Sequence, residues 1–188
     1  MCNSWQRSDS GPSFEIRSVD LDDWADIRNL HGFAFARLTA PSLADAGSAA
    51  FLARIREPEY TASLQERNLL VACIDRQLVG TAGWEAFDQR GRTACIRSVC
   101  VSPLFTRLGI GRHLVAASEA SALQSGYRDL AARAFPSNAG FFEDLGYTRS
   151  SQDVHAPAHD CGLPIVHMRK GEPGAAQSHS LDGALHQR

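Results

Sequence analysis

The stretch IRSVCVSPLFTRLGIGRHLV, residues 96–115, constrains the fold of this chain more than any other. A β-rich run ends at Val101, a loop carries Pro103, Gly109 and Gly111, and Ile110, Leu114, Ala117, Ser118 and Ala122 then recur at helical spacing. The spacing predicts a helix over 109–125, capped by Gly126. Because that helix separates the run before it from the next strand candidate, DLAARAF, the two strands can lie parallel in a right-handed crossover.

A helix opening at Gly109 leaves several N–H groups without an internal partner, and such groups attract anions. Glycine lets a ligand approach the backbone, the helix dipole adds partial positive charge, and Arg107 and Arg112 add full charges. The pattern fits a phosphate or pyrophosphate site; it also fits a strand-to-helix turn that uses glycine for geometry alone. A P-loop is excluded, since Arg112 and His113 stand where Lys and Ser or Thr belong. The dinucleotide fingerprint fails at its third glycine, where Leu114 stands, and Asp129 opens the next strand instead of ending it.

Elsewhere the chain reads as one domain. SFEIRSV predicts a short strand ending near Val19. Asp20 offers an N-cap to a first helix carrying Leu21, Trp24, Ile27, Leu30, His31, Ala34 and Phe35 up to Pro41. Ser42 offers a cap to a second helix ending before Pro58, and 59–67 can add a turn or two. LLVACI, LVGTAGWEAF and RTACIRSVCV, joined by short turns, imply an antiparallel meander. A short helix from Ser137 and Asn138 to Leu145 closes at Gly146. Strand candidates follow at 147–150 and in PIVHMRK, with a loop over 155–163. Residues 1–13 read as a polar leader and 171–188 as a solvated, flexible tail.

A net charge of −2 gives no general field for nucleic acid or an anionic membrane. The five cysteines, with no CxxC pair, read as reduced thiols of a cytoplasmic protein, and no run suggests export or a membrane span.

The stretch at 96–115, together with PSNAGFFEDLGYTR and the order of elements over 14–170, resembles the GNAT superfamily of acetyl-CoA-dependent N-acetyltransferases. The resemblance implies an α/β fold with a mixed, mostly antiparallel central sheet flanked by helices. It also implies acetyl-CoA as cosubstrate, no metal, and transfer to a small-molecule or peptide amine. The backbone of Arg107, Leu108, Gly109, Ile110, Gly111 and Arg112 would cradle the pyrophosphate. Val99, Cys100 and Val101 would splay from the parallel neighbour, pair with pantetheine and polarise the thioester carbonyl; Asn138, Phe141 and Phe142 would line the arm. A homodimer is compatible with the resemblance.

Some positions depart from the family pattern. Thr106 replaces Gln or Arg, and Arg107 stands where small residues are frequent. Phe142 falls where many relatives have the tyrosine that protonates the leaving thiolate, a role worth about 10² to 10⁴ in rate and least for a good leaving group. No carboxylate lies in 95–98, although deprotonating a lysine-like amine at neutral pH costs roughly 4–5 kcal/mol. Glu85, on the neighbouring strand, is the candidate base; Asp88 reads as a turn residue.

Other residues have plainer readings. His155, His159, Cys161 and His167 have ligand-like spacing, but residues 155–163 contain Pro and Gly and read as a loop, so these residues are not taken as a metal site. Cys100 reads as a structural thiol. Arg97 meets either an acidic substrate group or a neighbouring acid. His31, Phe33 and Phe35 read as helix packing, Trp24 as core, and Trp84 as core or a wall of the acceptor pocket. Ser118 and Glu119 need only helical explanations. The rival reading is a non-catalytic acyl-CoA-binding module; a dinucleotide oxidoreductase is the third.

Overall fold

A computed structural model describes residues 13–87, 91–158 and 161–171, without the side chains of 155–158 and 161. Most of the leader with Cys2, the tail from 172, Asp88, His159 and the side chains of His155 and Cys161 therefore lie outside the described residues.

Seven strands form one sheet in the order β1-β2-β3-β4-β5-β7-β6. The meander is β2 (Asn68–Ile74), β3 (Gln77–Ala86) and β4 (Thr93–Val101), with β1 (Glu15–Ser18) antiparallel on its edge. Asp75 and Arg76, both at positive φ, make the two-residue turn between β2 and β3. The helix α4 (Ile110–Gln124) crosses over to β5 (Asp129–Ala134), whose pairing with β4 is the one parallel pairing among the described residues. β6 (Thr148–Ala158) and β7 (Cys161–Lys170) complete the sheet as a long hairpin, with β7 inserted against β5. The backbone over 155–158 and 161–163 is thus strand, which corrects the loop expected there. Pro157, Pro164 and Gly162 mask the alternation that marks a strand.

The amino-terminal helices are more broken than the periodicity suggests. A 3-10 turn at Leu21–Asp23 precedes α1 (Trp24–Ala34), which runs into a π-helical turn at Phe35–Thr39 and a second 3-10 turn at Ala40–Ser42. Leu21 is 88% exposed and outside the apolar stripe. Ser42 does not cap the next helix; its hydroxyl donates to the Thr39 carbonyl, and α2 (Asp45–Ile55) starts later. α3 (Pro58–Gln65) uses Pro58 in its first turn, where the missing N–H costs nothing.

The two faces of the sheet are covered differently. On one, Val115 and Ala122 of α4 pack against Ile96, Leu130, Ala132, Val166 and Met168. On the other, Ile27 of α1 and Leu64 of α3 pack against Leu69, Val71 and Cys73. Side chains alternate along a strand, so a residue next to an α4-facing one points toward the α1–α3 layer. Trp84 lies on the α4 face, 5% exposed, its Nε1–H donating to Ser121 Oγ at 3.1 Å; it is core. Glu119 does more than keep the helix: it accepts from Tyr147 Oη at 2.8 Å and pairs with Lys170, tying α4 to the end of β7.

Candidate active site

The β4–β5 pairing ends at Ile96 opposite Ala132, although β4 continues to Val101 and β5 to Ala134. Beyond that pair the two parallel strands diverge and leave backbone groups of both unpaired. On its other side β4 pairs Arg97 with Gly83 and Cys100 with Thr81, so β4 holds one extra residue there. This is a β-bulge, and Ser98 sits in it at φ +56°. The bulge bends β4 away from β5 at the point where the cleft opens.

The cleft leads into a cavity of about 520 Å³. Val99, Cys100 and Val101 line it from β4, with Gly111, Asn138, Phe141 and Phe142 around one end. Phe35, Phe51 and Phe135 pack as a trio, centroids 4.4 to 5.9 Å apart, to form an apolar wall. Phe51 and Phe135 carry no motif and escaped the sequence reading.

At the mouth, α4 begins at Gly109, φ +77°, with no side chain capping its first turn. Arg107 is also left-handed, φ +66°. His113 donates from its backbone N–H and its Nδ1 to the Gly109 carbonyl, at 3.1 and 2.8 Å. A Cβ on Gly111 would lie 3.4 Å from both Phe141 and Val101, so the missing side chain keeps a gap between those residues. Uncapped helix N–H groups and a gap that a methyl would narrow suit a phosphate-bearing chain entering the cleft. Among the expected cradle residues, Gly111 lines the cavity itself; Arg107, Leu108, Gly109, Ile110 and Arg112 lie along the loop and first turn outside it.

A directional hydrogen-bond chain supports the bulge. The Thr81 hydroxyl donates to the Ser98 carbonyl at 2.7 Å, so its oxygen is free to accept from His31 Nε2–H at 2.8 Å. That leaves Nδ1 of His31 as the acceptor for the Tyr60 hydroxyl at 2.7 Å. His31 is thus neutral with a defined tautomer. Burial, followed by the nearby Arg67 charge, pushes its pKa down to about 4. Burial also raises the Tyr60 pKa. The buried histidine, read as helix packing, is therefore a polar link between α1 and the bulge. A histidine among the buried positions of α1 was the available signal.

The expected base, Glu85, stands behind the cavity wall. One carboxylate oxygen accepts from Arg67 Nε at 2.8 Å and the other from Arg97 at 2.7 Å. The two arginines line the cavity; Glu85 does not. Arg67 also donates to Ser98 Oγ at 3.0 Å, joining this group to the bulge. Cys100 donates weakly to the Leu30 carbonyl, and burial pushes its thiol up to about 12, far from a reactive thiolate. Phe142 is buried against Tyr147. No group of three or more potential metal ligands occurs among the described residues, and none of their helices is long and apolar enough to cross a membrane.

Comparison with known proteins agrees with this geometry. A family model described as an acetyltransferase (GNAT) domain matches residues 39–171, more than two thirds of the chain. A GCN5-related N-acetyltransferase from Rhodopseudomonas palustris superposes with a TM-score of 0.74 at 20% identity, covering 84% of this chain and 94% of that one. The putative acetyltransferase yncA from Salmonella typhimurium, solved with acetyl-CoA, gives 0.59 at 20% identity over 92% and 99%. PaiA N-acetyltransferase from Thermoplasma acidophilum, solved with coenzyme A, gives 0.63 at 15% identity over 85% and 99%. A search of curated proteins finds no significant match.

Proposed function

The chain belongs to the GNAT acetyltransferase family, and from that premise we propose that it transfers acetyl from acetyl-CoA directly to the amine of an acceptor. The observation that carries the reading is the diverging end of β4 beside a glycine-opened helix, facing one cavity. Acetyl-CoA would supply the activated acetyl group as a thioester. Uncapped N–H groups at the start of α4 would hold its pyrophosphate, and the Gly111 gap would admit the chain past Phe141 and Val101. Val99 to Val101 would pair with pantetheine amides as an added strand does, and a β4 amide would polarise the thioester carbonyl. Asn138, Phe141 and Phe142 would bound the arm.

The acceptor would enter from the α1–α3 side, where the polar groups of the cavity lie. The Cys100 thiol, held protonated, does not compete as a nucleophile, which favours attack by the amine itself. With Glu85 engaged by two guanidinium groups, its proposed part in taking the amine proton requires release of one of them or a water between. Phe142 supports a second reading, a module that binds acyl-CoA without turnover. Calorimetry with acetyl-CoA tests the shared part: folded chain that binds it, with binding abolished in a Gly109→Asp, Gly111→Asp variant, supports the cradle. Failure of folded wild-type chain to bind would remove both readings. Thiol release with a panel of amines then separates transfer from mere binding.

A further inference from the structure

We propose that the acceptor is an amine bearing a carboxylate or similar oxyanion within a few bonds, held by Arg97 and Arg133 on the sheet face opposite α4. The inference rests on the acetyl-transfer reading and specifies its second substrate.

Register places the two arginines. Ile96 and Ala132 are partners on the parallel strands β4 and β5, and both face α4. One residue further, Arg97 and Arg133 stand on the opposite face, next to each other across the opening cleft. Arg133 is in turn opposite His167 of β7, and both line the cavity with Arg97. The row continues to Arg67, which enters from the end of α3.

Charge does not balance along this row. Glu85 is shared by Arg67 and Arg97, which leaves one positive charge over, and Arg133 adds another, its guanidinium 5.9 Å from the Phe87 ring. Arg67, Arg97 and Arg133 line the cavity on this face, whereas Glu85, which pairs with two of them, does not. Burial leaves the Arg97 and Arg67 side chains only 24% and 13% exposed. Burial lowers the Arg97 pKa; Glu85 opposes that, while Arg67 and Arg133 add to it, the mark of cations crowded together. Where it is half-buried, at Arg67 and Arg97, the cationic surplus is costly by itself, and an anion that accepts several N–H bonds relieves it.

The surplus is not placed for the phosphates of CoA. The cradle belongs to the start of α4, and these side chains leave the sheet on the other side. Arg97 precedes Val99 by two residues, a separation of at most about 7 Å along a strand. An anion on its guanidinium therefore lies a few bonds from an amine at the thioester. A polyamine or other polycation would meet repulsion instead.

The test compares matched amines on the full chain with acetyl-CoA, reading thiol release. One arm pools the common α-amino acids with β-alanine and aminomethylphosphonate; the second pools the α-amides of the same amino acids; the third is spermidine. Amide amines are the less basic, so protonation works against the expected order. The acids should be consumed at least about tenfold faster than the amides, a preference expected of charge-assisted hydrogen bonds. Arg133→Gln, at an exposed position, and Arg97→Gln should raise KM for the acid more than they lower kcat, with acetyl-CoA affinity by calorimetry unchanged. Amides or spermidine consumed as fast as the acids would overturn the proposal while leaving acetyl transfer standing. Acetyl-CoA bound but no acid consumed would overturn it too. Folded chain that fails to bind acetyl-CoA would overturn both readings.

Discussion

His31 Nε2 lies 2.8 Å from Thr81 Oγ1, and through that hydroxyl a buried imidazole on α1 holds the carbonyl of the bulged Ser98 on β4. The bulge gives β4 its bend, so the link reaches from a helix in the amino-terminal layer to the strand proposed to hold the thioester. Thr81→Val keeps the shape and removes both bonds. It leaves His31 Nε2–H and the Ser98 carbonyl without their partner, at a cost of about 1–3 kcal/mol for each buried group. The expected result is a stability loss of that order in urea unfolding. The rate of acetyl transfer should fall, with the affinity of the helix-end cradle for CoA little changed.

The same histidine sets a pH window. Its folded pKa is lowered to about 4 by burial, against an ordinary value of 6.5 in the unfolded chain. Between those values the unfolded chain binds more protons, so stability rises with pH there. The contribution is complete above about pH 6.5 and is lost as pH falls toward 4, in total about 3 kcal/mol. Urea midpoints for wild type and His31→Gln, followed from pH 7 to pH 4, should converge as the pH drops. Parallel curves would show that His31 is not buried neutral. Asp23, its pKa lowered by the Arg17 hydrogen bond, gives the same sign of dependence but below the ordinary carboxylate range, outside this window.

Much of this was legible in local pattern. The meander, the helix after Gly109 and the parallel β5 each rest on signals within about 15 residues of one another: alternation, turn residues, a glycine at a helix end. The outer ends of the β6–β7 hairpin were legible at 147–150 and in PIVHMRK, but its inner part reads as a loop over 155–163, because Pro157, Gly162 and Pro164 break alternation while backbone pairing holds the strands together. Nor were the partners of His31: Tyr60 and Thr81 lie 29 and 50 residues away in sequence, and only the packing of α1 and α3 on the sheet brings them together. The Glu85 pairs are of the same kind. Arg67 is 18 residues distant, and a strand glutamate looks alike whether free or clamped. Arg97 was left between two partners, and the structure shows the acid among them.

The two glycines of the loop have different duties and should separate on mutation. Gly109 is left-handed, so Gly109→Ala strains the backbone and should cost about 1 kcal/mol of stability. Gly111 is helical, and its added methyl meets Phe141 and Val101 at 3.4 Å, an ordinary contact. Gly111→Ala should therefore match or exceed wild-type stability, because alanine is the better helix former by up to about 1 kcal/mol. It should nevertheless weaken acetyl-CoA by about tenfold, or 1.4 kcal/mol, as the gap narrows. Thermal unfolding and calorimetry on the two variants check this; equal acetyl-CoA affinity for Gly111→Ala and wild type would show that the gap serves packing alone.

Glu85→Gln distinguishes a base from an anchor. A base that takes the amine proton contributes about 10² to 10⁴ in rate, and removing it also removes its limb from the pH profile of kcat/KM. The structure gives both oxygens of Glu85 to guanidinium groups that line the cavity, while the carboxylate itself lies behind them. A carboxamide keeps one acceptor and the shape, but donates where the carboxylate accepted, so one arginine is released. The expected outcome is a loss of about tenfold or less in kcat/KM, with the acidic limb in place and KM for the acceptor altered because Arg97 has lost its brace. A loss above about a hundredfold, with the limb abolished and KM unchanged, would assign Glu85 the proton and show that one of its pairs opens during the reaction.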